Sequence, residues 1–112
     1  MNLNIPKINT TGLRLLIRLV KFALLSKGDQ LEIRTEKHQY TLKITGPAQG
    51  DLTSDNATSP QGKVNIIGAY KDGRIFYDQL GEGQCFVYQI PGAQGQGVKT
   101  SAVLQIALTK GH

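Results

Sequence analysis

A hydrolytic or acyl-transfer centre needs a nucleophile, a base within hydrogen-bond reach and usually a third group that orients the base. The residues able to supply them here are few. His38 and His112 are the two histidines, and Cys85 is the one cysteine. His38 falls at an expected hairpin turn and His112 is the last residue, so neither has the fixed surroundings that a catalytic base requires. Cys85 opens an apolar, strand-like run and reads as a small core residue, not a reactive thiol. Asp51 and Asp55 sit in a polar stretch, while Asp72, Asp78 and Glu82 lie at turns, where carboxylates ordinarily cap backbone N–H groups. No catalytic residue, cofactor or metal ligand set is therefore expected, and the chain reads as a non-enzyme.

Two further patterns bear on ligands. Gly92-Ala93-Gln94-Gly95-Gln96-Gly97 has the composition of a phosphate-cradling loop, but such a loop joins a strand to a helix N-terminus, and here an extended segment follows. A hairpin connection is the simpler reading. Tyr40, Tyr70, Phe76, Tyr77, Phe86 and Tyr88 all fall on strand-like runs. Strand aromatics beside Lys or Arg are how small barrels stack and steer single-stranded nucleic acid, although the same residues also make an ordinary β core.

These side chains act only where the elements put them. Residues 12–27 combine Thr11 as N-cap, a leucine-rich run free of internal Gly or Pro, and Gly28 as terminator, which predicts a helix over about 12–27. At 100° per residue Arg14, Arg18 and Lys21 share a narrow stripe, and the apolar residues fill an arc of roughly 220°. One sheet face covers little more than half of that arc, so a further contact is expected.

Beyond Gly28 the period becomes two. Leu31, Ile33 and Thr35, then Tyr40, Leu42 and Ile44, alternate with polar residues as in a hairpin turning near Lys37 and His38. Gly46 to Gly62 is polar apart from Leu52 and reads as a long mobile loop. A strand from about Lys63 to Tyr70 meets Ile75, Phe76 and Tyr77 across Asp72-Gly73, a pair suited to a two-residue hairpin turn. Cys85 to Ile90, closed by Pro91, and Val98 to Leu108 complete the set. The expected class is α+β: an N-terminal helix packed on a five- or six-stranded antiparallel meander sheet or small barrel, in one domain spanning residues 1–112.

Composition agrees with a globular fold. Of 112 residues, 39% are hydrophobic and 19% charged. The formal charge of +5 is unevenly placed. Lys7, Arg14, Arg18, Lys21 and Lys27 precede Asp29 with no acidic residue among them, whereas basic and acidic residues balance in the remainder. Attraction to an acidic partner should therefore centre on the N-terminal segment. Leu13 to Leu25 is interrupted by charge and would span only about 20 Å as a helix, too short for a bilayer core of about 30 Å. The same charges argue against a secretory signal, while a basic, acid-free N-terminus also matches an organelle-targeting sequence. A single cysteine permits no intrachain disulfide and fits a reducing, cytoplasmic setting.

The function expected from the sequence is a non-enzymatic interaction or regulatory module. Leu15, Leu16, Leu19, Val20, Phe22 and Ala23 would bind a second copy or another protein, with Arg14, Arg18 and Lys21 making charge contacts. The alternative is a nucleic-acid-binding small barrel, with RNA or single-stranded DNA on the basic segment. An anionic membrane surface is a third partner.

Overall fold

The computed structural model describes residues 13–92 and 97–111. In chain order its strands are β1 (Arg14–Ile17), β2 (Leu19–Lys21), β3 (Gln30–Thr35), β4 (Gln39–Gly46), β5 (Gln49–Ser54), β6 (Gly62–Lys71), β7 (Arg74–Tyr77), β8 (Gln79–Gly81), β9 (Cys85–Gln89) and β10 (Gly97–Thr109), with one 3-10 turn at Phe22–Leu24. All pairings are antiparallel. β3, β4, β5 and β6 follow one another, β9 pairs with the far edge of β6, and β10 joins β9 back to β3. That closes a six-stranded barrel. β1 and β7 are flaps on β10 and β6, and β2 with β8 forms a separate two-stranded ribbon.

Alternation fills the barrel. Leu31, Leu42 and Leu52 face one another across β3, β4 and β5, and Ile33 faces Tyr40. Val64, Ile66, Phe86, Tyr88, Val103 and Ile106 complete the interior and are buried. Each such side chain contributes about 1.5–3 kcal/mol through the surface it removes from water. Phe86 stacks on Tyr88 with centroids 5.4 Å apart, and Phe22 approaches Phe86 at 6.1 Å.

The helix expected over 12–27 is absent from the described residues, so neither the α+β class nor a basic amphipathic helix applies. Tertiary pairing overrides the helical propensity of the leucine-rich run. Leu15 and Ile17 pair with Leu108 and Ile106, which in turn pair with Leu31 and Ile33, so β1 extends two apolar core rows. After a bend at Arg18, Val20 and Phe22, two residues apart, both enter the core, and Val20 pairs with buried Leu80. A strand that is apolar on both faces looks like a very broad apolar arc when projected at helical angles.

The long loop expected from Gly46 to Gly62 also fails. β5 lies within it and is an internal barrel strand between β4 and β6. Its sequence, QGDLTS, buries Leu52 completely. The hairpin at Asp72-Gly73 forms where the sequence places it, with φ of 52° and 80° at the two turn residues, the left-handed values of a two-residue turn.

One buried acid fastens the barrel seam. Asp29 sits just before β3 and accepts hydrogen bonds from Ser26 N–H at 2.8 Å, Gly111 N–H at 2.9 Å and Lys110 Nζ at 2.9 Å. It thereby ties the end of β10 to the start of β3. A Cβ on Gly111 would collide with the Gly28 carbonyl, so the two backbones pack directly. Burial alone would raise the Asp29 pKa, but the two backbone donors and the Lys110 ammonium outweigh it and hold the carboxyl below its usual value of 3.8.

Two outcomes check this fold. Leu52→Ala should destabilise the protein by about 2–5 kcal/mol in chemical denaturation, where a mobile loop would give almost no change. Because the folded pKa of Asp29 is depressed, its contribution is complete above the unfolded value near 3.8 and is lost as pH falls through the folded value. Asp29→Asn should therefore flatten the loss of stability below about pH 4, read from denaturation midpoints across pH.

Candidate functional site

The residues with catalytic potential do not converge. His38 closes the β3–β4 turn, where its carbonyl accepts bonds from Thr35 N–H and the Thr35 hydroxyl. Its Nδ1 lies 3.3 Å from Asp55 Oδ1, which also accepts the Gln39 N–H. No hydroxyl or thiol bonds to the imidazole among the described residues. Cys85 is half-buried, and His112 lies outside the described residues. No three His, Cys, Asp or Glu side chains cluster among the described residues. Residues 93–96 of the glycine-rich loop also lie outside them. Beyond that loop, the Thr100 hydroxyl accepts the Phe86 N–H at 3.0 Å and donates to the Ser101 carbonyl at 2.7 Å. It serves the irregular pairing of β9 and β10.

The aromatics divide into two groups. Tyr40, Phe86 and Tyr88 are core residues. Burial, with Tyr40 beside it, pushes the Tyr88 phenol up to about 12, and its hydroxyl donates to the Pro60 carbonyl at 3.2 Å. Tyr70, Phe76 and Tyr77 lie on the β6–β7 hairpin, where Tyr70 and Phe76 are half-buried, Phe76 against the core. Lys99 Nζ stands 4.1 Å from the Tyr70 ring centroid, and the Arg74 guanidinium lies 5.7 Å from that of Phe76. Tyr77 is 72% exposed.

The N-terminal residues singled out by sequence are split by the strand geometry. Val20 and Phe22 are each 4% exposed and belong to the core. Leu15, Leu16 and Leu19 remain on the surface, and Ala23 is exposed with its N–H on the Asp78 carboxylate at 3.2 Å. Arg14 reaches from β1 across β10 to Glu32 on β3, with Nε and Oε2 3.0 Å apart. Arg18 and Lys21 are exposed and in no ion pair among the described residues. Lys27 is exposed as well, and Lys7 lies outside the described residues.

Sequence reasoning missed other surface residues. Leu24 is 75% exposed, and Leu13, Ile75 and Leu104 also present large apolar surface. Alternation could have flagged Ile75, which shares one face of its strand with Tyr77 beside a clear turn. Among the described residues β1 pairs with β10 alone and β7 with β6 alone, which leaves one side of each without a strand partner.

Comparison with known proteins adds no lineage: no family model, curated protein or solved structure matches the chain. The surfaces themselves carry the functional reading. The small barrel is compatible with nucleic-acid binding, and no helix among the described residues is long and apolar enough to cross a membrane.

Tyr88 offers a check on the core beneath these surfaces. Its folded pKa is raised, so its stabilising contribution is whole below the unfolded value of 10 and is lost as pH rises toward about 12. Stability should fall across that window, and Tyr88→Phe should lessen the fall, measured as the denaturation midpoint against pH.

Proposed function

We propose that the chain is a non-enzymatic binding module that docks another protein on an N-terminal ribbon made of β1 and β2, in a reducing, cytoplasmic setting. One observation carries the reading. Within a dozen residues, Leu13, Leu15, Leu16, Leu19 and Leu24 are all substantially exposed, beside an edge strand whose outer side meets no other strand among the described residues. An edge of this kind pairs readily with an extended segment: backbone bonds give affinity, and alternate side chains give selectivity. Arg18 and Lys21 add positive charge beside the leucines, so the partner segment should be apolar with acidic residues. Val20 and Phe22 anchor the ribbon in the core and hold the exposed leucines in place.

A second reading rests on a separate observation, the Tyr70–Lys99 stack beside exposed Tyr77 on a small barrel. There single-stranded nucleic acid would stack on the aromatics and place phosphates near the lysine.

Both readings are tested by titrating a displayed library of extended peptides and, separately, mixed-sequence single-stranded DNA and RNA. Docking predicts enrichment of apolar, acidic peptides, with binding weakened at least tenfold by Leu16→Ser with Leu19→Ser, about 1.4 kcal/mol or more. Arg14, Arg18 and Lys21 changed together to Gln should chiefly reduce the salt dependence. Tight nucleic-acid binding that is lost on Tyr77→Ala and Lys99→Gln, with no peptide enriched, would overturn the docking reading in favour of the second.

A further inference from the structure

The β6–β7 hairpin carries an edge that is complementary to itself. A two-residue turn makes Lys71 and Arg74 a mutually hydrogen-bonded pair. Bonded and non-bonded pairs then alternate along the ladder, so Phe76 bonds to Ala69 while the N–H and C=O of Ile75 and Tyr77 point away from β6. The Asp78 N–H bond to the Ile67 carbonyl, 2.9 Å, carries that alternation one step past β7, where Asp78 turns with φ of 61° and its carbonyl accepts the Phe22 N–H. Ile75 is 46% exposed and Tyr77 72%, on one face of the strand. Arg74 and Asp78 flank them and are exposed; the Asp78 carboxylate accepts the Ala23 N–H through Oδ2 at 3.2 Å, which leaves Oδ1 to meet a cation, and neither residue is in an ion pair among the described residues.

We infer that β7 pairs antiparallel with β7 of a second copy about a two-fold axis at Phe76. A two-fold axis perpendicular to a sheet keeps each face with itself, so a residue must lie on the axis. With Phe76 there, Ile75 faces the partner's Tyr77, and Arg74 faces the partner's Asp78. Both Ile–Tyr pairs are hydrogen-bonded pairs, because the free backbone groups of Ile75 and Tyr77 meet, and both Arg–Asp pairs oppose unlike charges. With Ile75 on the axis instead, Arg74 would face the partner's Phe76 and Gly73 its Tyr77, which leaves Asp78 without the cation. Charge complementarity therefore selects a second copy as the occupant and Phe76 as the centre. This contact lies on β7, apart from the ribbon proposed to dock another protein, and does not depend on that reading.

Solution mass by light scattering from 10 µM to 1 mM tests the contact. The protein should dimerise over that range, Arg74→Glu should weaken the dimer at least tenfold, and Leu16→Ser with Leu19→Ser should leave it intact. In a Cys85→Ser background, mixing an Ile75→Cys protein with a Tyr77→Cys protein under mild oxidation should give the mixed disulfide in preference to either symmetric one. Both positions are exposed, so folding should not be affected. A monomer at 1 mM, a dimer indifferent to Arg74→Glu, or a predominant symmetric disulfide would overturn the proposal. A dimer lost only in the double leucine variant would assign self-association to the N-terminal ribbon and also contradict it.

Discussion

Closure of the barrel depends on β10. Its first half pairs with β9 through Gly97 to Ala102, and its second half pairs with β3 through Val103 to Thr109, with irregular register where the strand changes partner. The buried Thr100 hydroxyl bridges that change by binding Phe86 N–H. Asp29 then holds the far end by gathering Gly111, Lys110 and Ser26 around one carboxylate. Without this seam, β3 and β9 would each present an open edge, and the rows that bury Leu31, Ile33, Phe86 and Ile106 would end at water. An acid so deeply buried is tolerated because Ser26 and, once β10 docks, Lys110 and Gly111 supply donors to both carboxylate oxygens.

A barrel closed in this way consumes its own edges and leaves flaps outside. β1 adds to β10 beyond the point where β9 ends, and β7 adds to β6 beyond the point where β5 ends. Each flap carries large exposed apolar residues, Leu15 and Leu16 on β1 and Ile75 and Tyr77 on β7. The exposed edges and side chains of both flaps are available for strand addition and side-chain contact. The interior is filled by side chains, as in other small barrels.

Parts of this arrangement were legible in the residues. Asp72-Gly73 announces its turn because both residues must take positive φ, and few other residue pairs do so cheaply. The alternation of Leu31, Ile33 and Thr35 with Glu32 and Arg34 marks a strand with one wet face. β5 was not legible, since QGDLTS has one large apolar residue and owes its conformation to β4 and β6 on either side. The N-terminal run was misleading for the opposite reason. Its leucines and valine are apolar on both strand faces, which helical projection turns into a broad arc, and the decisive partners, Ile106 and Leu80, lie sixty or more residues away. Of the residues expected to bind, Leu15, Leu16 and Leu19 stay at the surface, while Val20 and Phe22 are drawn inward by the ribbon with β8.

The basic, leucine-rich segment forms two strands, one a flap on β10 and one paired with β8, that bury Val20 and Phe22 while leaving its leucines outside. Nuclear Overhauser contacts across its backbone test this most directly. Cross-strand contacts are expected from Ile17 to Ile106, from Leu16 to Ala107 and from Val20 to Leu80, the register partners in β10 and β8. Helical contacts between residues three apart from Leu13 to Leu24, with those cross-strand contacts missing, would contradict that arrangement.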